Sequence, residues 1–273
     1  MRRFSYMTTV SFTPPNRTPG YGYVQSFARG LAVIRSFSAE APSQTMTEVA
    51  QRTGLTRAGA RRILHTLHAL GYVEIDGRQF RLTAKVLDLG FAYLSSLPLW
   101  SMAEPYIEAL VKEVQESSSI AVLDGSDIVY VLRVPTQKIM SISLGVGSRL
   151  PAYCSSMGRV LLAGLDDEAL EEQLASTDLV AHTPHTLIDP ALLREEIQRV
   201  RSQGWALVDQ ELEIGLISIA APILGRKGKV IAALNVGLHS SRMDADGVQQ
   251  QVLPKLLSTA RKITERLTHS GAY

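Results

Sequence analysis

The chain has 273 residues, 45% of them hydrophobic, a length and composition that fit two modest domains with packed cores. Its single cysteine, Cys154, excludes an intrachain disulfide and any multi-cysteine zinc site, and points to a reducing, cytoplasmic compartment; no run of about 18 apolar residues is present to span a membrane. Charge is unevenly divided, with 12 Lys+Arg against 5 Asp+Glu in residues 1–97 and 16 against 21 in residues 98–273, so contact with a polyanion is expected of the first part only.

Residues 1–23, MRRFSYMTTVSFTPPNRTPGYGY, lack a continuous apolar stretch and are rich in Thr, Pro and Gly. They read as a disordered arm and not as a secretion signal, with Met1 and Met7 both open as starts. Phe27, Leu31, Ile34 and Phe37, with Ala28 and Val33 nearby, predict an amphipathic helix that closes a three-helix core. Residues 47–71, TEVAQRTGLTRAGARRILHTLHALG, then read as a helix–turn–helix. Thr47 is the expected cap of a short helix with Val49 and Ala50 on its apolar side; Gly54 closes it in a left-handed turn, Leu55 fills the corner, and Thr56 caps the next helix.

On that second helix Ala60, Ile63, Leu64, Leu67 and Leu70 mark the buried side. At about 100° per residue the opposite side carries Ala58, Arg61, Arg62 and His65, beside Arg57 at the helix start. A small residue and guanidiniums on a solvent face suit a major groove, where Arg pairs with guanine edges or phosphates. The alternative is an amphipathic helix with a solvated basic face. The stretch Tyr72–Thr83 favours the groove: YVEI and RQFRL flank Asp76-Gly77, a signal for a type I′ hairpin, and a hairpin after a recognition helix is a wing. Arg78 and Arg81 on it are placed to reach phosphates. Residues 24–83 are thus expected to form a winged helix–turn–helix that binds double-stranded DNA.

Residues 84–98 follow as a linker helix that Pro98 stops; Val86, Leu87, Leu89, Phe91, Tyr93, Leu94 and Leu97 leave little polar face, so it packs either on a partner's copy or on its own second domain. Residues 99–273 read as an α+β domain. A helix is expected over Leu99–Glu116, with strands at Ser119–Leu123, Ile128–Val134 and Lys138–Leu144 and an extended Leu150–Tyr153. A helix from near Ser155 and two more over Asp167–Ala175 and Pro190–Gln203 come next. Strands return at Ala206–Asp209, Leu216–Leu224 and Val230–Gly237 before a final helix over Asp246–Leu267.

Nothing here composes a catalytic centre. Cys154, Ser155 and Ser156 lack a Gly-x-Ser-x-Gly elbow, His182 and His185 offer at most two metal ligands, and Glu211 and Glu213 are two apart in an expected turn. No enzyme activity, metal or cofactor is therefore expected. Binding is the better reading: a helix opening at Ser155-Ser156-Met157 presents free N–H groups that attract a carboxylate, although Ser155 as a plain N-cap accounts for the same residues. Ile139, Ile142, Leu150 and Leu216 are candidate apolar walls, and Ser218 and Asn235 candidate polar contacts from late strands.

The run TGLTRAGARRILHTLHALGY, the hairpin, RLPAYCSSMGRVLLAGL, VDQELEIGLISIAAPI and IAALNVG, in that order over residues 24–268, together resemble an IclR-type transcriptional regulator. YLSS at 93–96, TPHT at 183–186 and QVLPKL at 251–256 resemble the PcaR/PcaU/PobR branch, which governs protocatechuate, 4-hydroxybenzoate and β-ketoadipate catabolism. The resemblance implies a winged helix–turn–helix, a dimerising linker helix and a GAF-like effector domain. It further implies a homodimer or a dimer of dimers on partly palindromic operators and a small carboxylate effector; RNA polymerase is a further candidate partner of such a regulator. It places the carboxylate on the amides of Ser156 and Met157, the apolar wall on Ile139, Ile142, Leu150 and Leu216, and polar contacts on Ser218, Asn235 and Asp209. Ser156-Met157 stands where Gly-Ala is common in glyoxylate-responsive members, a change of pocket volume and polarity. The expected function is an effector-controlled DNA-binding regulator of aromatic-acid catabolism, the alternative being a repressor that responds to another organic or keto acid.

Overall fold

A computed structural model describes residues 22–96, 99–136 and 144–270 and divides the chain into two compact units that meet between Tyr93 and Leu94. In the first unit, α1 (Gln25–Arg35), α2 (Met46–Thr53) and α3 (Arg57–Ala69) surround a core of Val33, Val49, Ala60, Leu64, Val73 and Phe80. The cap of α2 is Thr45, not the expected Thr47. Thr45 Oγ1 accepts from Glu48 N–H at 3.3 Å while the Glu48 carboxylate accepts from Thr45 N–H at 2.7 Å. Such reciprocal bonding needs Glu or Gln three residues after the cap, which Thr45 has and Thr47 lacks. Gly54 takes the left-handed turn (φ 65°) and Thr56 Oγ1 accepts from Gly59 N–H at 3.1 Å, as expected. On α1 the expected stripe is displaced: Val33 is the buried residue, with Ile34 and Phe37 packed behind it, whereas Phe27 is 68% and Leu31 40% exposed.

The wing consists of β2 (Val73–Asp76) and β3 (Gln79–Leu82), with Asp76 opposite Gln79, so its two-residue loop is Gly77-Arg78, one position later than expected. Only Gly77 has positive φ (59°), so the loop is not the type I′ turn expected, which needs both residues left-handed; glycine first is the type II′ position. β1 (Ser43–Thr45) pairs with β3 and completes a three-stranded antiparallel sheet. Three residues are too few to display an alternation, which is why this strand is invisible in the sequence.

A 3-10 turn (Ala84–Val86) leads into α4 (Leu87–Ser96), which has no buried residue; Leu87, Leu89, Phe91 and Tyr93 are exposed, and Leu94 packs partly against the core of the second unit.

The second unit is built on a six-stranded antiparallel sheet, β6-β5-β4-β9-β8-β7. Its strands are β4 (Ser117–Asp124), β5 (Asp127–Val134), β6 (Arg149–Pro151), β7 (Ala206–Asp209), β8 (Leu216–Leu224) and β9 (Val230–His239). The strand expected over 138–144 lies outside the described residues apart from Leu144. One face packs on α5 (Leu99–Val114) and α10 (Leu253–Ser270), the other on α6 (Ser156–Ala163), with α7 (Asp167–Ala175) and α8 (Pro190–Gln203) outside it. The strand β8 shows the consequence: Ile217, Ile219, Ala221 and Ile223 point one way and Leu216, Ser218 and Ala220 the other. The single helix expected near the C-terminus is two, α9 (Ala245–Gln251) and α10, because Pro254 has no N–H to continue the ladder and its ring crowds the preceding turn.

All eight residues of α6 are buried. The sheet beneath it offers Ala121, Ala220 and Ala233, each fully buried, so the helix lies close. Closest of all is Gly158, where an added Cβ would stand 2.1 Å from the Ala152 carbonyl oxygen and 2.3 Å from its Cα. Backbone does not retreat as a flexible side chain does, so Gly158→Ala is expected to destabilise the second unit by at least about 1–3 kcal/mol, read from the urea midpoint at unchanged m-value. Wild-type stability in this variant would refute the close approach.

Candidate functional site

On the first unit Thr56, Arg57, Ala58, Arg61, Arg62, His65 and Arg78 are all exposed. The helical period places Arg57, Arg61 and Arg62 away from the Ala60–Leu64–Leu67 stripe that enters the core. Among the described residues none of these three arginines, nor Arg78, has an ion-pair partner, whereas Arg81 on the wing leans toward Asp76 at 3.8 Å. His65 rests edge-on against Phe80, with ring centroids 6.4 Å apart, and so ties the recognition helix to the wing. Unpaired guanidiniums on a helix and on an adjoining hairpin are the arrangement that contacts phosphates and base edges together.

The second unit holds a cavity between the start of α6 and the sheet. Leu150, Ser155, Ser156, Met157, Leu216, Ser218 and Asn235, all expected contacts, line it. Asp209 does not: at the exposed end of β7 it faces solvent, and the alternation of the strand turns Val208 into the cavity instead. Ile139 and Ile142 lie outside the described residues. Ser155 caps α6, its Oγ accepting from Gly158 N–H at 3.2 Å. The N–H groups of Ser156 and Met157 have no acceptor among the described residues, and the Ser156 hydroxyl is buried without a partner. First-turn amides, an unpaired hydroxyl and the positive end of a helix converge on one point, the chemistry that receives an anion.

Sequence reasoning missed Tyr130, Arg133, Ser117 and Ser119, which line the same cavity. The reason lies in β5. Ile120 pairs with Leu132 but Ala121 with Tyr130, so the strand carries an extra residue there. The bulge turns both Val131 and Leu132 to the α5 side and returns Tyr130 to the face that Arg133 occupies. Strict alternation, the only signal in DIVYVLRV, puts Tyr130 and Arg133 on opposite faces. Burial pushes the Tyr130 hydroxyl up to about 12 against the pull of the Arg133 charge, so the phenol is a neutral donor. Burial and the charge of Glu211 push the Cys154 thiol, also at the cavity, up to about 12, which leaves it a thiol and not a nucleophilic thiolate.

Behind the cavity Arg159 of α6 is 2% exposed. Its Nη2 donates to Glu211 Oε2 at 2.6 Å and its Nε to the Tyr153 carbonyl at 3.0 Å. The TPHT stretch fixes the other side of Glu211: Thr186 Oγ1 donates to its carbonyl at 2.6 Å, Thr183 Oγ1 to that of Gln210 at 2.7 Å, and Leu187 N–H to its carboxylate at 2.9 Å. The next residue, Leu212, lines the cavity. Glu211 is therefore part of a built loop and not a turn residue. His182 stacks on Tyr153, ring centroids 6.2 Å apart, with its pKa lowered by burial. Among the described residues no cluster of three or more His, Cys, Asp or Glu can hold a metal ion, and no helix is long and apolar enough to cross a membrane.

Residues 26–77 match the family profile described as the IclR helix-turn-helix domain, and residues 91–265 that of the bacterial transcriptional regulator IclR C-terminal domain. The Pca regulon regulatory protein of Pseudomonas putida is 48% identical over 246 residues, which cover 90% of this chain and 84% of that protein. A crystal structure of a regulator from Rhodococcus sp. RHA1 superposes with a TM-score of 0.81 at 48% identity, covering 90% of this chain and 98% of that one. An IclR homologue from Microbacterium hydrocarbonoxydans, solved with 4-hydroxybenzoate, superposes with a TM-score of 0.78 at 27% identity, covering 89% and 98%.

Proposed function

The chain belongs to the IclR family of bacterial transcriptional regulators, and from that premise we propose that it is a DNA-binding regulator governed by a small carboxylate of aromatic-acid catabolism. The observation that carries the effector is the start of α6: two free amides and an unpartnered buried Ser156 hydroxyl opening on an apolar-walled cavity with no acidic residue in its described lining. The kinship with a regulator of the Pca regulon and with a homologue that holds 4-hydroxybenzoate supports the chemical class.

Operator contact falls to Thr56, Arg57, Ala58, Arg61, Arg62, His65 and Arg78. The exposed apolar residues of α4 support a homodimer, or a dimer of dimers, formed through that helix; Leu94, half-buried against its own unit, is the least suited to reach a partner, and Leu87 and Phe91, 73% and 69% exposed, the best. Effector binding shifts the balance between arrangements of two such winged domains and thereby changes operator affinity or contact with RNA polymerase.

Three outcomes are expected. Arg61→Ala costs about 1–3 kcal/mol of operator affinity in gel-shift titrations, concentrated at the base pair it reads; an unchanged profile removes Arg61 from the groove. Phe91→Glu sets a charge in the interface and weakens self-association about tenfold or more in sedimentation equilibrium, whereas an intact oligomer excludes α4. Ser156→Pro tests the effector site with little structural cost. Ser156 is the first residue of α6, where proline is tolerated, and Ser155 already has the extended backbone (φ −122°, ψ 145°) that a following proline requires. The variant loses one amide and the hydroxyl, so calorimetric affinity for a carboxylate effector falls while operator affinity of the unliganded protein stays; unaltered effector binding would refute the site.

A further inference from the structure

The recognition helix α3 is completed at its C-terminal end by residues of the linker. The chain itself closes the Leu67 and His68 carbonyls: Gly71, left-handed at φ 81°, donates its N–H to His68 at 2.9 Å, and Tyr72 donates to Leu67 at 2.8 Å. The Leu70 and Gly71 carbonyls instead receive side chains from the segment that begins the linker. Lys85 Nζ donates to the Leu70 carbonyl at 2.9 Å and Thr83 Oγ1 to the Gly71 carbonyl at 2.6 Å. The Lys85 ammonium also stands 5.2 Å from the centre of the Tyr72 ring, and its Cδ lies 3.6 Å from where a Cβ on Gly71 would stand. A cation is favoured at the negative end of a helix, and here it comes from 15 residues downstream.

Thr83 serves both sides of this joint. Its N–H donates to the Tyr72 carbonyl at 2.9 Å, and its Oγ1 accepts from Lys85 N–H at 3.3 Å, capping the 3-10 turn that runs directly into α4. On another side α3 is bonded to the wing, His68 Nδ1 donating to the Val73 carbonyl at 3.0 Å. Recognition helix, wing and linker start are thus one piece within the first unit. The side-chain bonds of Thr83 and Lys85 are exposed to solvent, where a hydrogen bond adds only modest net stability, so their main effect is to fix direction. Direction matters for one kind of DNA contact more than the other: base edges are read only by side chains at a set distance and angle, whereas attraction to phosphates tolerates a tilt.

We propose that Thr83 and Lys85 are positioning residues for operator recognition. They clamp the C-terminal end of α3 to the start of the linker, so the direction in which α4 leaves the winged domain sets the angle at which Arg57, Arg61 and Arg62 meet the bases. This rests on the operator-facing assignment of α3 given above and adds to it the joint through which a movement of α4 reaches the DNA.

The test uses the full chain and two duplexes, the one that wild type retains most tightly from a randomised pool and a scrambled duplex of the same composition. Fluorescence anisotropy titrations over a series of salt concentrations give each protein's ratio of the two affinities and its slope of log affinity against log salt. Thr83→Val combined with Lys85→Met is expected to lower the ratio about fivefold or more, with affinity for the scrambled duplex within about twofold of wild type and the slope unchanged. Lys85→Arg, which reaches the same carbonyl and stacks on Tyr72, keeps the ratio near that of wild type. Partial unfolding lowers the apparent affinity for both duplexes alike and does not move the ratio. An unmoved ratio overturns the proposal, and so does an equal loss on both duplexes with a slope smaller by about 0.9, which makes Lys85 a phosphate contact instead. A pool in which wild type prefers no duplex removes the operator-facing assignment and the clamp together. Preference that depends on Arg61 but not on Thr83 and Lys85 leaves that assignment standing and removes the clamp alone.

Discussion

Gly158 brings the backbone of α6 against Ala152 at a separation that no Cβ tolerates, and the position of every group at the cavity follows from that approach. Because Ala121, Ala220 and Ala233 are small, the helix settles over the middle of the sheet and becomes buried along its whole length. Its first turn then ends against Ser119, Ser218 and Asn235, polar residues on the strands beneath. A helix start in such a place carries unpaired N–H groups into an apolar interior, a cost that an anionic ligand removes on binding. The same geometry that packs the domain therefore leaves it incomplete at one point, and that point is the one proposed above to receive a small acid.

Arg159 extends this constraint outward. A guanidinium at 2% exposure is tolerated because Glu211 and the Tyr153 carbonyl occupy its donors, and Glu211 is in turn held through Thr183, Thr186 and Leu187. A buried pair of this kind is weak evidence for net stability, since the desolvation of both charges opposes their attraction, but loss of either partner alone costs about 3–5 kcal/mol. Here its value is positional. It ties α6 to the segment that supplies Leu212 to the cavity, so the helix start and part of the apolar wall keep one geometry.

The first unit solves a different problem, that of presenting charge. Its core is modest, and its helices are defined by caps: Thr45 with Glu48, then Thr56, with Gly54 turning the chain between them. These leave Arg57, Arg61 and Arg62 projecting from the helix with no acidic partner among the described residues. The exposed Phe27 and Leu31 on α1 and Leu87 and Phe91 on α4 are the apolar counterpart, surface that a lone chain leaves in water.

Legibility in the sequence tracked distance along the chain. The helices Asp167–Ala175 and Pro190–Gln203 and the strands Ala206–Asp209 and Leu216–Leu224 have the bounds expected of them, because Asp166, Asp189, Pro190 and Gly204 act on their immediate neighbours. The helix–turn–helix, the wing and the capped start of α6 were readable for the same reason. The cap at Thr45 and the break at Pro254 were also local, yet each was overlooked where a stronger pattern lay close by, and the three-residue β1 is too short to show a pattern at all. Arg133, Tyr130 and the burial of Glu211 were of another kind. A single extra residue in β5 decides which side chains share a face, the register of β4 between β5 and β9 sets Arg133, Ser119 and Asn235 in one row, and 52 positions separate Arg159 from its carboxylate. The sequence by itself thus determined most of the elements and the capped start of α6, which depend on residues a few positions apart. Tertiary structure alone decided what faces that helix start, because strand register and buried charge pairing are set by contacts that no local pattern encodes.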